Sequence, residues 1–73
     1  MKKTYKMINL DCANCAARME AAIKKLPGVT DANVSFLTQK LTIEGDDERF
    51  ADIVEDAVNI CQMVDSDCQV IVK

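Results

Sequence analysis

Four cysteines are the residues of this 73-residue chain best suited to chemistry, and two of them form a motif. Cys12 and Cys15 are separated by Ala13 and Asn14, and Asp11 stands directly before the pair. Two sulfurs at this spacing can converge on one ion, and thiolates are the ligands that Cu(I), Zn(II), Cd(II) and Pb(II) prefer. Because the chain has no histidine, a Cys₂His₂ zinc finger is excluded. The motif predicts a site for a soft metal ion.

The charge of this motif favours a divalent ion over copper. The thiolates of Cys12 and Cys15 neutralise a divalent ion, and the carboxylate of Asp11 adds a third negative ligand. Two sulfurs in a line satisfy Cu(I), which has little affinity for oxygen, whereas zinc prefers four ligands. We therefore predict Cys12, Cys15 and Asp11 as metal ligands for Zn(II), Cd(II) or Pb(II), with Cu(I) as the alternative. Asp11 as a helix cap or a solvated loop carboxylate stays open.

The same cysteines permit other interpretations. A pair spaced like Cys12 and Cys15 also occurs in thiol–disulfide enzymes, where the start of a helix activates one thiol. Cys61 lies near the apolar stripe of a predicted helix and Cys68 on the inward side of a predicted strand, so both are predicted as buried core thiols. Met7, Met19 and Met63 are likewise at core spacing, or nearly so, and are not interpreted as a copper–thioether site.

Composition narrows the remaining possibilities. The formal net charge is −3 and the pI is near 4.7, which argues against nucleic-acid binding because no net positive field is present. No apolar run approaches the ~20 residues of a membrane span, so we expect no membrane insertion by this segment. Without an export signal, a cytoplasmic location with reduced thiols is favoured. The chain has no phosphate loop, so we expect a binding module and not an enzyme.

Hydrophobic periodicity predicts four strands and two helices. Alternating residues indicate strands over 4–9, 29–36, 39–44 and 68–72. Three- and four-residue steps indicate a helix over about 15–26, ended by Pro27 and Gly28, and a second helix that runs from near Phe50 to Val64. The loops fall at 10–14, 37–38, 45–47 and 65–67.

This order defines an α+β fold class, a ferredoxin-like βαββαβ sandwich over a single domain of residues 1–73. It has a four-stranded antiparallel sheet with both helices on one face. Cys12 then lies in the loop after the first strand and Cys15 in the first helical turn, where the positive helix end favours thiolates. The predicted core comprises Tyr5, Met7, Ala16, Met19, Ile23, Leu26, Val34, Phe36, Leu41, Ile43, Phe50, Ile53, Val54, Ala57, Val70 and Val72.

Three stretches of the chain resemble the heavy-metal-associated (HMA) domain family. They are residues 5–20 (YKMINLDCANCAARME), 26–29 (LPGV) and 32–36 (ANVSF). The resemblance covers essentially the whole chain and implies the ferredoxin-like fold, with Cys12 and Cys15 as ligands. Members of the family occur as free copper chaperones or as N-terminal modules of heavy-metal-transporting P-type ATPases.

Two departures from the copper-binding members bear on the metal. Those members typically have Gly-Met-x-Cys-x-x-Cys, where this chain has NLDCANC at 9–15. Asp-Cys-x-x-Cys is similar to the motif of bacterial zinc-, cadmium- and lead-exporting ATPases, in which the carboxylate is implied as a further ligand. Copper members also tend to carry Gly-Tyr or Lys before the last strand, and residues 61–67 (CQMVDSD) have neither.

The resemblance implies a cytosolic N-terminal module of a Zn/Cd/Pb exporter, which delivers metal to the pump or regulates it. Its partners are then the metal ion and the membrane and ATPase domains of a transporter, and the module is a monomer or a metal-bridged dimer. A free-standing copper(I) chaperone is the alternative, and a small thiol–disulfide protein is a further one.

Overall fold

Four strands and two α-helices follow one another in the predicted order. The computed structural model describes residues 1–72; Lys73, the end of the predicted domain, lies outside that range. The elements are β1 (Lys2–Ile8), α1 (Ala13–Lys24), β2 (Val29–Ser35), β3 (Lys40–Gly45), a 3₁₀ turn (Asp47–Arg49), α2 (Phe50–Val64) and β4 (Gln69–Ile71).

The strands form one antiparallel sheet in the order β2-β3-β1-β4. Tyr5 pairs with Leu41 across β1 and β3, Leu41 with Val34 across β3 and β2, and Met7 with Val70 across β1 and β4. Side chains of a strand point alternately to its two faces, so the inward residues of this register form one apolar surface. The α+β, ferredoxin-like prediction is confirmed.

The core lies between that surface and the helices, and most of the predicted core is buried. Two predictions are wrong: Phe36 is 37% exposed and Val72 is 49% exposed, while Leu26 and Val70 are half-buried. β2 ends at Ser35 and β4 at Ile71, so Phe36 and Val72 lie beyond the paired segments and their alternation no longer applies. The predicted core also omits Leu10 and Ala32, both of which are buried.

Helix α1 begins at Ala13, two residues before the predicted start, and α2 continues directly from the 3₁₀ turn. Met63 is 85% exposed on α2, so its assignment to core spacing is wrong; the buried stripe passes through Ala57 and Cys61 instead. Across residues 1–72, neither helix combines the length and apolarity required to traverse a bilayer.

Two glycines allow the start of β2 and the end of β3 to approach closely. Gly28 has a φ of 90°, a conformation that costs little only without a Cβ. A Cβ on Gly45 would lie 2.7 Å from the carbonyl oxygen of Gly28, and that oxygen accepts a hydrogen bond from the Asp46 N–H at 2.9 Å. The close contact therefore requires glycine at position 45.

Candidate metal centre

The loop that carries the motif begins with a sharp change of direction after β1. Asn9 has a φ of 64°, in the left-handed region that Asn adopts more readily than most residues. The next side chain, Leu10, is fully buried, whereas Asp11 is exposed. The buried leucine fixes the loop to the core and leaves the residues that follow at the surface.

The backbone of Leu10 is held by a side chain from the β2–β3 turn. The Leu10 N–H donates to Gln39 Oε1 at 2.9 Å, and Gln39 Nε2 donates to the Leu10 carbonyl oxygen. The same Nε2 also donates to the Phe36 carbonyl oxygen at 2.6 Å, and the Met7 N–H donates to the Gln39 carbonyl oxygen at 2.8 Å. The turn and the loop that carries the motif thus lie at the same end of the sheet.

Cys12 is the N-cap residue of α1. Its backbone is extended (φ −115°, ψ 116°), and its Sγ accepts a hydrogen bond from the Cys15 N–H at 3.1 Å. A cap side chain accepts from an otherwise unpaired N–H of the first turn, a role that Ser or Asp usually fills. The cap interpretation of Asp11 is therefore wrong, because a sulfur takes that position. Cys12 and Cys15 are both partly exposed free thiols.

The two thiols of the motif are electrostatically distinct. The side chain of Cys15 as a hydrogen-bond partner, and then the Cys15 N–H, lower the pKa of Cys12. The same side-chain interaction, followed by desolvation and the charges of Cys12 and Asp65, raises the pKa of Cys15. The first proton therefore leaves Cys12, and the second leaves against the charge of the first thiolate. A bound cation would remove that repulsion.

Asp65, in the loop between α2 and β4, is a neighbour of this site that sequence analysis did not identify. Its charge acts on both motif thiols, and it lines a surface cleft beside Cys12. No local pattern could indicate this, because the fold alone brings the last loop next to the first. The cleft is lined by Asn9, Asp11, Cys12, Asp65, Ser66, Asp67 and Gln69.

The predicted ligands are only partly assembled. Cys12 and Cys15 lie together, and Asp11 lines the cleft with Cys12. Within residues 1–72, however, no three Cys, Asp or Glu side chains are grouped closely enough to hold an ion. Two neighbouring sulfurs suit a soft ion, and their partial exposure leaves room for further ligands. The assignment of Asp11 as a third ligand stays a prediction.

The remaining two cysteines are buried in the core, as predicted. Cys61 and Cys68 are both fully buried and carry free thiols. Burial raises the pKa of Cys61 to about 12, and burial also raises the pKa of Cys68. Both remain neutral at ordinary pH and act as small apolar side chains.

The fold and the site together define a class of protein: small ferredoxin-like domains with a partly exposed dithiol loop between the first strand and the first helix. The model of the heavy-metal-associated domain family matches residues 4–60, which is more than half of the chain. The chain belongs to this family.

Several curated relatives are metal-transporting ATPases. The chain is 40% identical over 55 residues to a zinc/cadmium/lead-transporting P-type ATPase of Shigella sonnei, covering 75% of this chain and 7% of that protein. It is 42% identical over 45 residues to a probable cadmium-transporting ATPase of Listeria monocytogenes, covering 62% and 6%. A copper-exporting P-type ATPase of Bacillus subtilis is 57% identical over 30 residues, covering 41% and 4%. The chain thus spans a small fraction of these relatives.

Solved structures with the same fold include copper-related proteins. The N-terminal domain of a potential copper-translocating P-type ATPase from Bacillus subtilis, in the Cu(I)-loaded state, has a TM-score of 0.78 at 25% identity, covering 99% of this chain and 85% of that one. The CopZ metallochaperone has a TM-score of 0.76 at 21% identity, covering 97% and 100%. The second likeness establishes the fold alone.

Proposed function

We propose that this chain binds one soft divalent ion, Zn(II), Cd(II) or Pb(II), as cargo through Cys12, Cys15 and Asp11. The observation that carries the proposal is the sulfur-capped start of α1, where Cys12 Sγ accepts the Cys15 N–H at 3.1 Å. This contact places both sulfurs on one partly exposed turn and favours a thiolate at Cys12. The adjacent carboxylates of Asp11 and Asp65 add negative charge that suits a divalent ion better than Cu(I).

The chain then acts as a binding module of residues 1–73 on the cytosolic side of a heavy-metal-exporting ATPase. It delivers the ion to the membrane domain or regulates the ATPase domains, and it catalyses nothing itself. Support comes from the cadmium- and zinc/cadmium/lead-transporting relatives. The module is a monomer, or a dimer bridged by one shared ion.

Release of the ion is expected to proceed by ligand exchange. Cys12 and Cys15 are reachable from solvent, so an incoming thiolate or carboxylate can replace one bond at a time. Cys15 is the better first leaving group, because its raised pKa means that it regains a proton more readily than Cys12 does. Stepwise exchange avoids a free ion and leaves Cys12 as the last bond.

A copper(I) chaperone or copper-pump module is the second candidate. Its support is the copper-exporting relative, 57% identical over 30 residues, and the Cu(I)-loaded neighbour.

A thiol–disulfide function, the third possibility, predicts insulin reduction by the reduced chain, whereas a metal carrier predicts none.

Metal titration of the reduced chain and of Asp11→Asn separates the two metals. We expect Asp11→Asn to weaken Zn(II) and Cd(II) binding by roughly tenfold or more, and Cu(I) binding by less than about twofold. Asp56→Asn is the matched control, since it removes the same charge from an exposed position of α2 and should leave all affinities unchanged. Equal losses for both metal classes would contradict the divalent assignment. Absence of binding for every soft ion would overturn the proposal.

A further inference from the structure

We propose that Gln39 is the positioning residue of the loop at 9–12, the metal loop. Its carboxamide holds this loop in the conformation in which Asp11 and Cys12 receive the ion. The inference rests on the proposed metal-binding function. Gln39 contacts neither the thiols nor the cleft beside them. It acts through the peptide groups of Leu10, which lies two residues before Cys12.

The contact is a two-point pairing between an amide side chain and the backbone. Gln39 Oε1 accepts the Leu10 N–H at 2.9 Å, while Gln39 Nε2 donates to the Leu10 carbonyl oxygen. The backbone N–H and carbonyl oxygen of Leu10 are therefore both hydrogen-bonded, although strand β1 already ends at Ile8. The Gln39 side chain makes the two hydrogen bonds to Leu10 that a neighbouring strand would make. The backbone therefore stays paired for one residue beyond β1.

The pairing of the Gln39 side chain with Leu10, which we call the clamp, is held in place by further hydrogen bonds of Gln39. Nε2 also donates to the Phe36 carbonyl oxygen at 2.6 Å, and the Gln39 carbonyl oxygen accepts the Met7 N–H at 2.8 Å. Gln39 has a φ of 56°, a conformation that favours Gly or Asn over Gln. Neither of those residues reaches Leu10 as Gln does, so the requirement for the longer carboxamide accounts for Gln in an unfavourable backbone conformation.

Preorganisation is the physical consequence for the site. The buried side chain of Leu10 fixes the loop on one side and the Cys12 cap fixes it on the other, with Asp11 exposed between them. Without the clamp, the peptide groups of Leu10 would exchange partners with water and the loop would sample more conformations. Ordering it on binding would then cost free energy that lowers the affinity for the ion.

The test compares Gln39→Met with Gln62→Met, the same substitution at an exposed helical position. Cd(II) affinity is measured on the reduced chain by competition titration, together with hydrogen exchange of the Leu10 amide in the metal-free state. We expect Gln39→Met to bind Cd(II) about tenfold more weakly, the effect of losing one or two hydrogen bonds, and to exchange the Leu10 amide faster. Gln62→Met should match the unmodified chain in both.

Gln39→Asn separates positioning from folding. Asn suits the positive φ but is one methylene shorter, so this variant should fold as stably as the unmodified chain and still bind Cd(II) about tenfold more weakly. Unchanged Cd(II) affinity in both Gln39 variants, with the unmodified chain binding normally, would overturn the positioning role and leave the proposed function intact. Failure of the unmodified chain to bind Cd(II), Zn(II) or any other soft ion would overturn the proposed function itself.

Discussion

Alkaline pH should destabilise this protein by ionising the buried thiol of Cys61. Cys61 is fully buried on α2, and burial raises its pKa from 9.0 to about 12. Below pH 9 the folded and unfolded chains both retain the proton, so the contribution of this thiol to stability is complete. Above pH 9 the unfolded chain loses the proton while the folded chain keeps it, so stability falls as the pH rises towards 12.

The size of the effect follows from these two pKa values. Within the window, the free energy of unfolding falls by about 1.4 kcal/mol per pH unit for one such group. Between about pH 8 and about pH 10.5 the loss from Cys61 amounts to roughly 2 kcal/mol. A domain of this size has only ~3–5 kcal/mol in total, so this one thiol removes much of the margin.

Urea unfolding across this pH range, followed by circular dichroism, measures the loss. Cys61→Ala removes the thiol and leaves a small cavity, which lowers stability by an amount independent of pH. The difference between the two curves therefore isolates Cys61 from Cys68 and Tyr5, whose pKa values burial also raises.

Cys12→Ala is the matched control and should retain the alkaline decline, because the pKa of Cys12 is lowered. Parallel pH profiles for the unmodified chain and Cys61→Ala would refute the reasoning. They would mean that the thiol ionises in the folded state as easily as in the unfolded state.

Two further outcomes can be checked on the same material. Iodoacetamide should modify Cys12 before Cys15 near neutral pH, because their interaction lowers the pKa of the first and raises that of the second; peptide mapping reads the order, and the reverse order would contradict it. Leu10→Ala should lower the free energy of unfolding by about 3 kcal/mol, since the side chain is fully buried, and a loss below about 1 kcal/mol in urea unfolding would show that the loop is not anchored by it.

Periodicity predicted the elements well wherever a segment was paired or packed along its length. The stripe Phe50, Ile53, Val54 and Ala57 is buried as the helical spacing indicated. The errors fall at the ends of elements. Phe36 follows the last residue of β2, and once the chain leaves the ladder its parity no longer determines which side faces the core.

The start of α1 shows a different kind of error. Apolar spacing placed it near Cys15, but the helix begins at Ala13 because Cys12 caps it. Sulfur is not among the preferred cap side chains, and the usual cap residue in this stretch, Asp11, stands one position before the actual cap. Because Cys12 is the cap residue and Cys15 lies in the first turn, both thiols of the motif lie on one turn.

Residue types and local spacing were sufficient to predict the order of strands and helices and the proximity of Cys12 to Cys15. Each of these depends on neighbours within about one helical turn or a few strand residues. The residues that surround the motif are brought there by contacts between segments that are far apart in the sequence. Gln39 reaches Leu10 across 29 positions of sequence, and Asp65 comes beside the thiols from the last loop. Such contacts form only when the whole chain folds, and no local sequence pattern encodes them.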